Sequence, residues 1–371
     1  MSTTNQQLYE IAIGMIPGVG SQLTRMLISH CGSAESVFKE KKGRLLKIPG
    51  IGTSTAEAIL TQNVLSLAEK ELEHASKLKA KILFYTSREF PERLKNISDA
   101  PTLLYFKGNA DLNTRKVLSI VGTRNATEYG KEVIGQLVKE FSQHKDLIIV
   151  SGLAYGIDIH AHKAALAHNI PTVGVMAAGI NVIYPALHKE IARKMIEMGG
   201  ITTEYRIDCK PEPAKFPARN RIIAGLSDAV LVVEAAERGG ALITAEIANG
   251  YNREVFAVPG NVGLKYSEGC NKLIRDHKAT IITGAADLEH FMNWDVADNS
   301  IFTQELTNYS HLDGEAKILV DYLKENDGMQ LDELSWKSQI PLARLASLLL
   351  NLEFEGIVKS LPGKKYKLTF K

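Results

Sequence analysis

An α/β protein built on a parallel sheet is what this sequence predicts, with a helical unit ahead of the sheet and a small mixed unit behind it. Three observations carry that expectation. Between Arg115 and Leu288, short β-branched runs alternate with helix-length stretches. Buried strands separated by helices form parallel sheets, because each parallel step needs a crossover. Before residue 81 such runs are missing, but one five-residue pattern occurs twice. After residue 310, three helical stretches precede two short strands. With 371 residues the chain exceeds what one core serves, so two or three domains are expected. The boundaries read as 1–80, 81–292, a linker at 293–310, and 311–371.

In chain order, Ile16-Pro-Gly-Val-Gly20 recurs as Ile48-Pro-Gly-Ile-Gly52, and helix-like stretches follow at Gln22–Ser29 and Thr55–Leu60. The pattern resembles the helix-hairpin-helix motif, and two copies resemble its paired, SAM-like form. Its Gly-h-Gly turn presents consecutive backbone N–H groups at a helix start, where a phosphate can dock without base readout. The same residues also make a tight αα-turn that binds nothing. Lys81–Asp111 reads as a connection holding one strand, Thr102–Phe106. The expected strands that follow are Val117–Val121, Leu147–Val150, Thr172–Met176, Ile201–Glu204, Ala229–Val233, Glu254–Val258 and Thr280–Thr283. Expected helices between them include Glu128–His144, Ala161–Ala167, Lys189–Met198 and Thr244–Tyr251. Asn293–Ser310 is polar and aperiodic, as a linker is. Helices at Glu315–Lys324, Leu331–Ser338 and Leu342–Glu355, followed by two strands within Ile357–Phe370, make a winged-helix unit.

Net charge is only +2, so any polyanion site must concentrate its positive charge locally. Cys31, Cys209 and Cys270 are far apart and form no C-x-x-C pair, which fits a reducing compartment and argues against structural zinc. The N-terminus lacks a basic region followed by an apolar one, and no apolar run is long enough to cross a bilayer. A cytoplasmic protein without membrane contact is expected.

The most informative segment is Phe216-Pro-Ala-Arg-Asn-Arg-Ile-Ile-Ala-Gly-Leu-Ser227. Reading a helix at Ile222–Leu226 puts Arg219 and Arg221 at its N-terminus, beside free backbone N–H groups. Planar guanidiniums there suit phosphate, with Phe216 as a stacking surface. The competing reading pairs both arginines with acids such as Glu204 or Glu234. In an open parallel sheet, function gathers at the C-terminal strand ends. The loops there are Gly122–Gly130, Ser151–Asp158, Glu234–Thr244 and Pro259–Gly263. They supply glycines such as Gly122 and Gly240 for close backbone approach, hydroxyls such as Thr244, and the cations Arg124 and Arg238. G-x-G-x-x-G after the first strand, the P-loop pattern and the nucleophile elbow are all missing. Asp158-x-His160-x-His162 does not share one helix face. It reads as an N-cap (Asp158) and a buried hydrogen-bonder (His162) rather than a metal site. Neither a catalytic residue nor a cofactor is assigned. Glu234 and Glu237 beside Gly239-Gly240 remain as the acid site of a rival nucleotide-processing enzyme.

In order, these motifs resemble the DprA/Smf family of DNA-processing proteins. The resemblance runs from about Leu103 to Leu288. It includes Val121-Gly-Thr-Arg124, Ser151-Gly-Leu-Ala-Tyr-Gly-Ile-Asp158, Tyr184-Pro185, the Phe216–Ser227 segment, Val233-Glu-Ala235, Leu242-Ile-Thr244, Ala257-Val-Pro-Gly260 and Gly269-Cys-Asn-Lys-Leu-Ile274. The chain departs from the family pattern at Ala177-Ala178-Gly179, Gly239-Gly240 and Lys278-Ala279. The resemblance implies an extended Rossmann fold that binds single-stranded DNA. It also implies a homodimer that hands the strand to the RecA recombinase in natural transformation, without catalysis. Carried over, Arg124, Phe216, Arg219, Asn220 and Arg221 line the DNA site with Lys215 as a phosphate contact, and Gly122, Gly240 and Thr244 belong to the same DNA-binding set. Its rival is an enzyme akin to nucleoside-monophosphate phosphoribohydrolases.

Overall fold

The computed structural model describes residues 3–294, 312, 314–326, 328–355, 357–361 and 365–368. The chain divides into two compact units, 1–288 and 289–371.

A nine-stranded sheet forms the centre of the first unit. Its strands are β1 (Lys81–Phe84), β2 (Leu103–Gly108), β3 (Lys116–Val121), β4 (Leu147–Ser151), β5 (Thr172–Val175), β6 (Gly200–Thr203), β7 (Ala229–Val232), β8 (Glu254–Ala257) and β9 (Thr280–Ile281). They lie in the order β1-β2-β6-β5-β4-β3-β7-β8-β9. From β6 to β9 every pairing is parallel, and β1 and β2 add an antiparallel edge. Each strand expected from the sequence is present. β1 is the addition: Lys-Ile-Leu-Phe, read as part of a connection, pairs with β2 and closes one edge. β3, β4 and β7 are buried along their whole length, as helices on both faces of a parallel sheet require.

Before the sheet come helices at Thr3–Ile13, Ser21–Cys31, Ala34–Lys39, Lys42–Leu45, Thr53–Thr61 and Leu65–Lys77. The repeated pattern folds the same way twice. Gly18 and Gly50 take φ of 77° and 80°, conformations that a Cβ would penalise. Gly20 and Gly52 then cap the following helices, each at φ −89°. One apolar core runs from these helices into the sheet, joining Ile11, Phe38 and Ala75 to Phe84, Tyr105 and Ile207. Glu71, buried on the Leu65–Lys77 helix, accepts the Ile207 backbone N–H at 2.7 Å.

Helices at Gly314–Glu325, Leu331–Ser338 and Leu342–Phe354 form the second unit with strands β10 (Met329–Gln330), β11 (Val358–Leu361) and β12 (Lys365–Leu368). The strands are ordered β10-β12-β11. This is the expected winged-helix arrangement with one extra short strand. Apart from Asn293 and Trp294, the expected linker lies outside the described residues.

Candidate functional site

β3 has β4 on one side and β7 on the other, so the strand order reverses there. A crevice at the carboxyl ends of the strands is the usual consequence. A cleft of about 690 Å³ opens at that point. Its lining includes Gly122, Arg124, Phe216, Arg219, Asn220, Arg238, Gly240 and Thr244. The sheet thus gathers seven of the nine candidate DNA contacts, all except Lys215 and Arg221. A smaller cavity of about 60 Å³ shares Arg124, Tyr184, Phe216 and Arg219 with the cleft.

One expectation about this site is corrected. The helix carrying the arginines spans Lys215–Leu226 and starts well before Ile222. Pro217 caused the misreading. A proline in the first turn is tolerated, because its missing N–H would have no partner there anyway. Arg219 and Arg221 therefore stand inside the helix, and its N-terminal N–H groups are not beside them.

Their partners differ from each other. Arg219 is 4 % exposed. Its Nη1 donates to the Gly152 carbonyl at 2.6 Å and to the Val175 carbonyl, stapling the helix to the ends of β4 and β5. Burial lowers its pKa to about 10, against the pull of the Asp158 carboxylate, so it stays charged at neutral pH. Asp158 accepts the Gly152 N–H at 3.2 Å. Burial raises its pKa, and the Arg219 charge opposes that. Asp158 is not the N-cap. Gly156 occupies that position at φ 74°, and the helix Ile157–Ala167 has already begun. Arg221 pairs with Glu204 and donates to the Asp99 carbonyl, as the acid-pairing reading has it. Lys215 is held by Cys209 Sγ at 2.9 Å, the Lys210 carbonyl at 3.0 Å and Glu212 at 2.9 Å.

Asn220 carries the geometry onward. It accepts from Arg219 Nε at 3.2 Å, and its Nδ2 donates to the Gly240 carbonyl at 3.3 Å. Gly240 opens the Gly240–Gly250 helix, whose start, with Ala241 and Thr244, lines the cleft. This helix N-terminus therefore faces the cleft. At the rim, the exposed Arg124 guanidinium lies 5.4 Å from the Phe216 ring centroid. The Tyr184 ring stands 5.6 Å from Phe216 on a tilted contact. Lys265 and Tyr266 also line the cleft, with Lys265 Nζ 5.4 Å from the Tyr266 ring. Tyr184, Lys265 and Tyr266 carried no assigned role in the sequence. The Lys-Tyr pair beside a glycine-rich loop was a signal for two of them.

The acidic residues of the rival reading sit elsewhere. Glu234 is 5 % exposed, accepts the Thr127 backbone N–H at 2.9 Å and hydroxyl at 2.5 Å, and so anchors the start of the Glu128–Phe141 helix. Glu237 is exposed, near Lys272. His162 is fully buried, as expected, and bonds Thr172 Oγ1 at 2.7 Å.

Fold and cleft together define a Rossmann-like α/β protein with a crevice at its topological switch point, in a chain that also carries a winged-helix unit. Residues 81–293 match the family of DNA recombination-mediator protein A. Residues 12–62 match a SAM-like helix-hairpin-helix tandem, and 307–364 the DprA winged-helix domain. A Smf protein of Synechocystis is 36 % identical over 75 % of this chain and 71 % of its own length. The DNA processing protein DprA of Bacillus subtilis is 43 % identical over 55 % of this chain and 68 % of its own. The chain belongs to the DprA/Smf family. Its structure resembles that of DprA from Streptococcus pneumoniae, with a TM-score of 0.66, 32 % identity, and coverage of 78 % of this chain and 98 % of that one. DNA processing protein A of Helicobacter pylori, whose structure was described for its single-stranded DNA binding mode, gives a TM-score of 0.53 at 28 % identity, covering 58 % of this chain and 97 % of that one.

Proposed function

We propose that this chain binds single-stranded DNA in the cleft at β3 and β7. The observation that carries the reading is the Arg124–Phe216–Tyr184 cluster at its rim. An aromatic face beside an exposed cation takes any base and its phosphate without reading sequence. Arg238 and Lys265 add charge along the cleft, and the start of the Gly240–Gly250 helix offers N–H groups. Arg219 and Asn220 act beneath the surface, Arg219 fixing the helix that carries Phe216 and Asn220 bonding the Gly240 carbonyl. The chain works without turnover chemistry, in the cytoplasm, as a homodimer that loads a RecA-type recombinase onto the strand; the family resemblance supports these points.

A titration of the full chain with single- and double-stranded oligonucleotides at matched salt tests the reading. Single strands are expected to bind at least tenfold more tightly, because a duplex hides base faces. Equal affinities would remove the stacking site. Release of base from nucleoside monophosphates, abolished by Glu237→Gln, would restore the enzyme reading.

A further inference from the structure

We propose that Tyr266 and Lys265 form a second base-stacking subsite in the cleft. One single strand then rests two of its bases on separate rings, Phe216 on one side of β3 and Tyr266 on the other. The proposal rests on the strand-binding reading and adds a second point of contact to it.

The two rings are set in the same way. Arg124 and Asn125, neighbours in the loop after β3, engage different rings. The Arg124 guanidinium lies 5.4 Å from the Phe216 centroid, and Asn125 Nδ2 donates to the Tyr266 hydroxyl at 3.1 Å. Each ring also has its own cation, since Lys265 Nζ lies 5.4 Å from the Tyr266 centroid. Both rings are half-buried and both line the cleft. The strand order separates them. Phe216 rides on the helix that Arg219 fastens to the Gly152 and Val175 carbonyls, at the ends of β4 and β5. Tyr266 stands just before the Glu268–Arg275 helix, and its carbonyl accepts the Ala235 N–H at 2.8 Å, beyond the end of β7. β4 and β7 flank β3 on its two sides. A strand crossing the end of β3 therefore meets one ring on each side.

Tyr266 is held in place before any strand arrives. Asn271 donates to the Gly260 carbonyl at 2.8 Å and accepts the Gly260 N–H at 3.1 Å, which ties the loop to the helix that follows it. The Gly269 N–H donates to the Ala235 carbonyl at 2.9 Å, so closely that a Cβ on Gly269 would come within 2.4 Å of the Ala236 carbonyl. A loop already fixed costs little ordering on binding, and that cost is one that erodes affinity elsewhere. The bond from Asn125 satisfies no buried group, since Asn125 is exposed; what it does is orient the ring. The half-open Tyr266 ring beside the exposed Lys265 ammonium offers the same chemistry as Phe216 and Arg124. The flat π-face takes a base and the cation takes its phosphate. Every base has such a face, so this subsite also reads no sequence.

The test uses the full chain and a short oligothymidylate in three forms: plain, abasic, and substituted throughout with 5-iododeoxyuridine, which on irradiation joins to the aromatic ring it stacks on. Mass spectrometry of the cross-linked peptides should find Tyr266 as well as Phe216 or Tyr184. Tyr266→Leu should weaken binding of the plain strand about tenfold. The same variant should bind the abasic strand as the parent chain does and unfold at the same temperature. Tyr266→Phe, which keeps the ring and gives up the Asn125 bond, should recover most of the loss. Cross-links at Phe216 but none at Tyr266, with Phe216→Leu weakening binding and Tyr266→Leu leaving it unaltered, overturn the second subsite and spare the strand-binding reading. Equal losses for plain and abasic strands in Tyr266→Leu also overturn it, because the residue would then be bracing the loop instead of holding a base. No cross-link at any of the three rings, with neither Leu variant changing affinity, brings down the strand-binding reading and the subsite with it.

Discussion

The two hairpin turns near the N-terminus and the cleft at β3 and β7 use the same ingredients, glycine next to a helix start, and differ in what surrounds them. At the hairpins, a Cβ on Gly18, Gly20 or Gly52 would meet nothing within 4 Å. The cations nearby are spent on neighbours: Lys42 on Glu57, Arg44 on Glu40, Lys39 on Glu35. Beside β3 the glycines are enclosed, whereas Gly239 and Gly240 across the cleft are open. A Cβ on Gly122 would sit 2.3 Å from Ile157, and one on Gly156 would sit 2.1 Å from the Thr123 carbonyl. Arg124 stands exposed above them, over Phe216. Glycine at the hairpins serves a turn. In the cleft it lets β3, its loop and the next helix close up until cations and aromatic rings converge.

The largest expected difference between the two regions is in stability. Gly156→Ala combines a positive φ with a clash against backbone, and should cost about 3 kcal/mol or more. Gly52→Ala, at an ordinary φ in open space, should cost no more than about 1 kcal/mol. Denaturant unfolding of both variants checks this, and equal losses would erase the contrast.

Next come the arginines. Arg219→Ala leaves Asp158 buried without its opposing charge and two strand-end carbonyls without a donor, and should cost about 3 kcal/mol. Arg124→Ala should change stability by less than about 0.5 kcal/mol. It should instead weaken single-strand binding for every sequence and lower the salt slope by about one ion. Lys42→Ala in the hairpin region should leave that slope unchanged. Salt-dependent titrations of the three variants sharpen the comparison, and a stable Arg219→Ala with a reduced slope would return Arg219 to the list of phosphate contacts.

A further effect depends on pH. Burial pushes the His162 pKa down to about 3, helped by His188 and Arg219, whereas the unfolded chain keeps about 6.5. Between those values the unfolded state binds a proton that the native state does not. Stability should therefore rise with pH across that window, by at most about 1.4 kcal/mol per unit, and level off above it. His162→Asn, able to keep a hydrogen bond to Thr172, should flatten the acid limb of the unfolding-temperature profile. An unaltered limb would assign that sensitivity to other groups.

The sheet was legible because its central strands are fully buried, so β3, β4 and β7 read as largely apolar, β-branched runs. β1 escaped because only three residues separate it from a helix and it pairs antiparallel at the sheet edge, outside the alternation of strand and helix. Residues of the cleft were legible where chemistry is local: Arg124, Phe216, Gly122 and Gly240 stand at strand ends or helix starts in the sequence itself. Burial was not legible. Whether Arg219 faces solvent or the ends of β4 and β5 depends on where its helix begins, and Pro217 permitted either reading. Tyr184 could not be placed either, since 32 residues separate it from the Phe216 ring it meets.

The apolar core shared by the N-terminal helices and the sheet limits how this chain can be cut. Ile82, Phe84 and Tyr105 pack into the same cluster as Ile11, Phe38 and Ala75, and Glu71 holds the Ile207 N–H across the junction. A fragment starting at Lys81 would bare that flank of the sheet and strand a buried donor. The helical segment is thus a wall of the α/β body rather than a tethered attachment, and loss or exchange of that segment, in the laboratory or in evolution, calls for a rebuilt surface on the strands it covers.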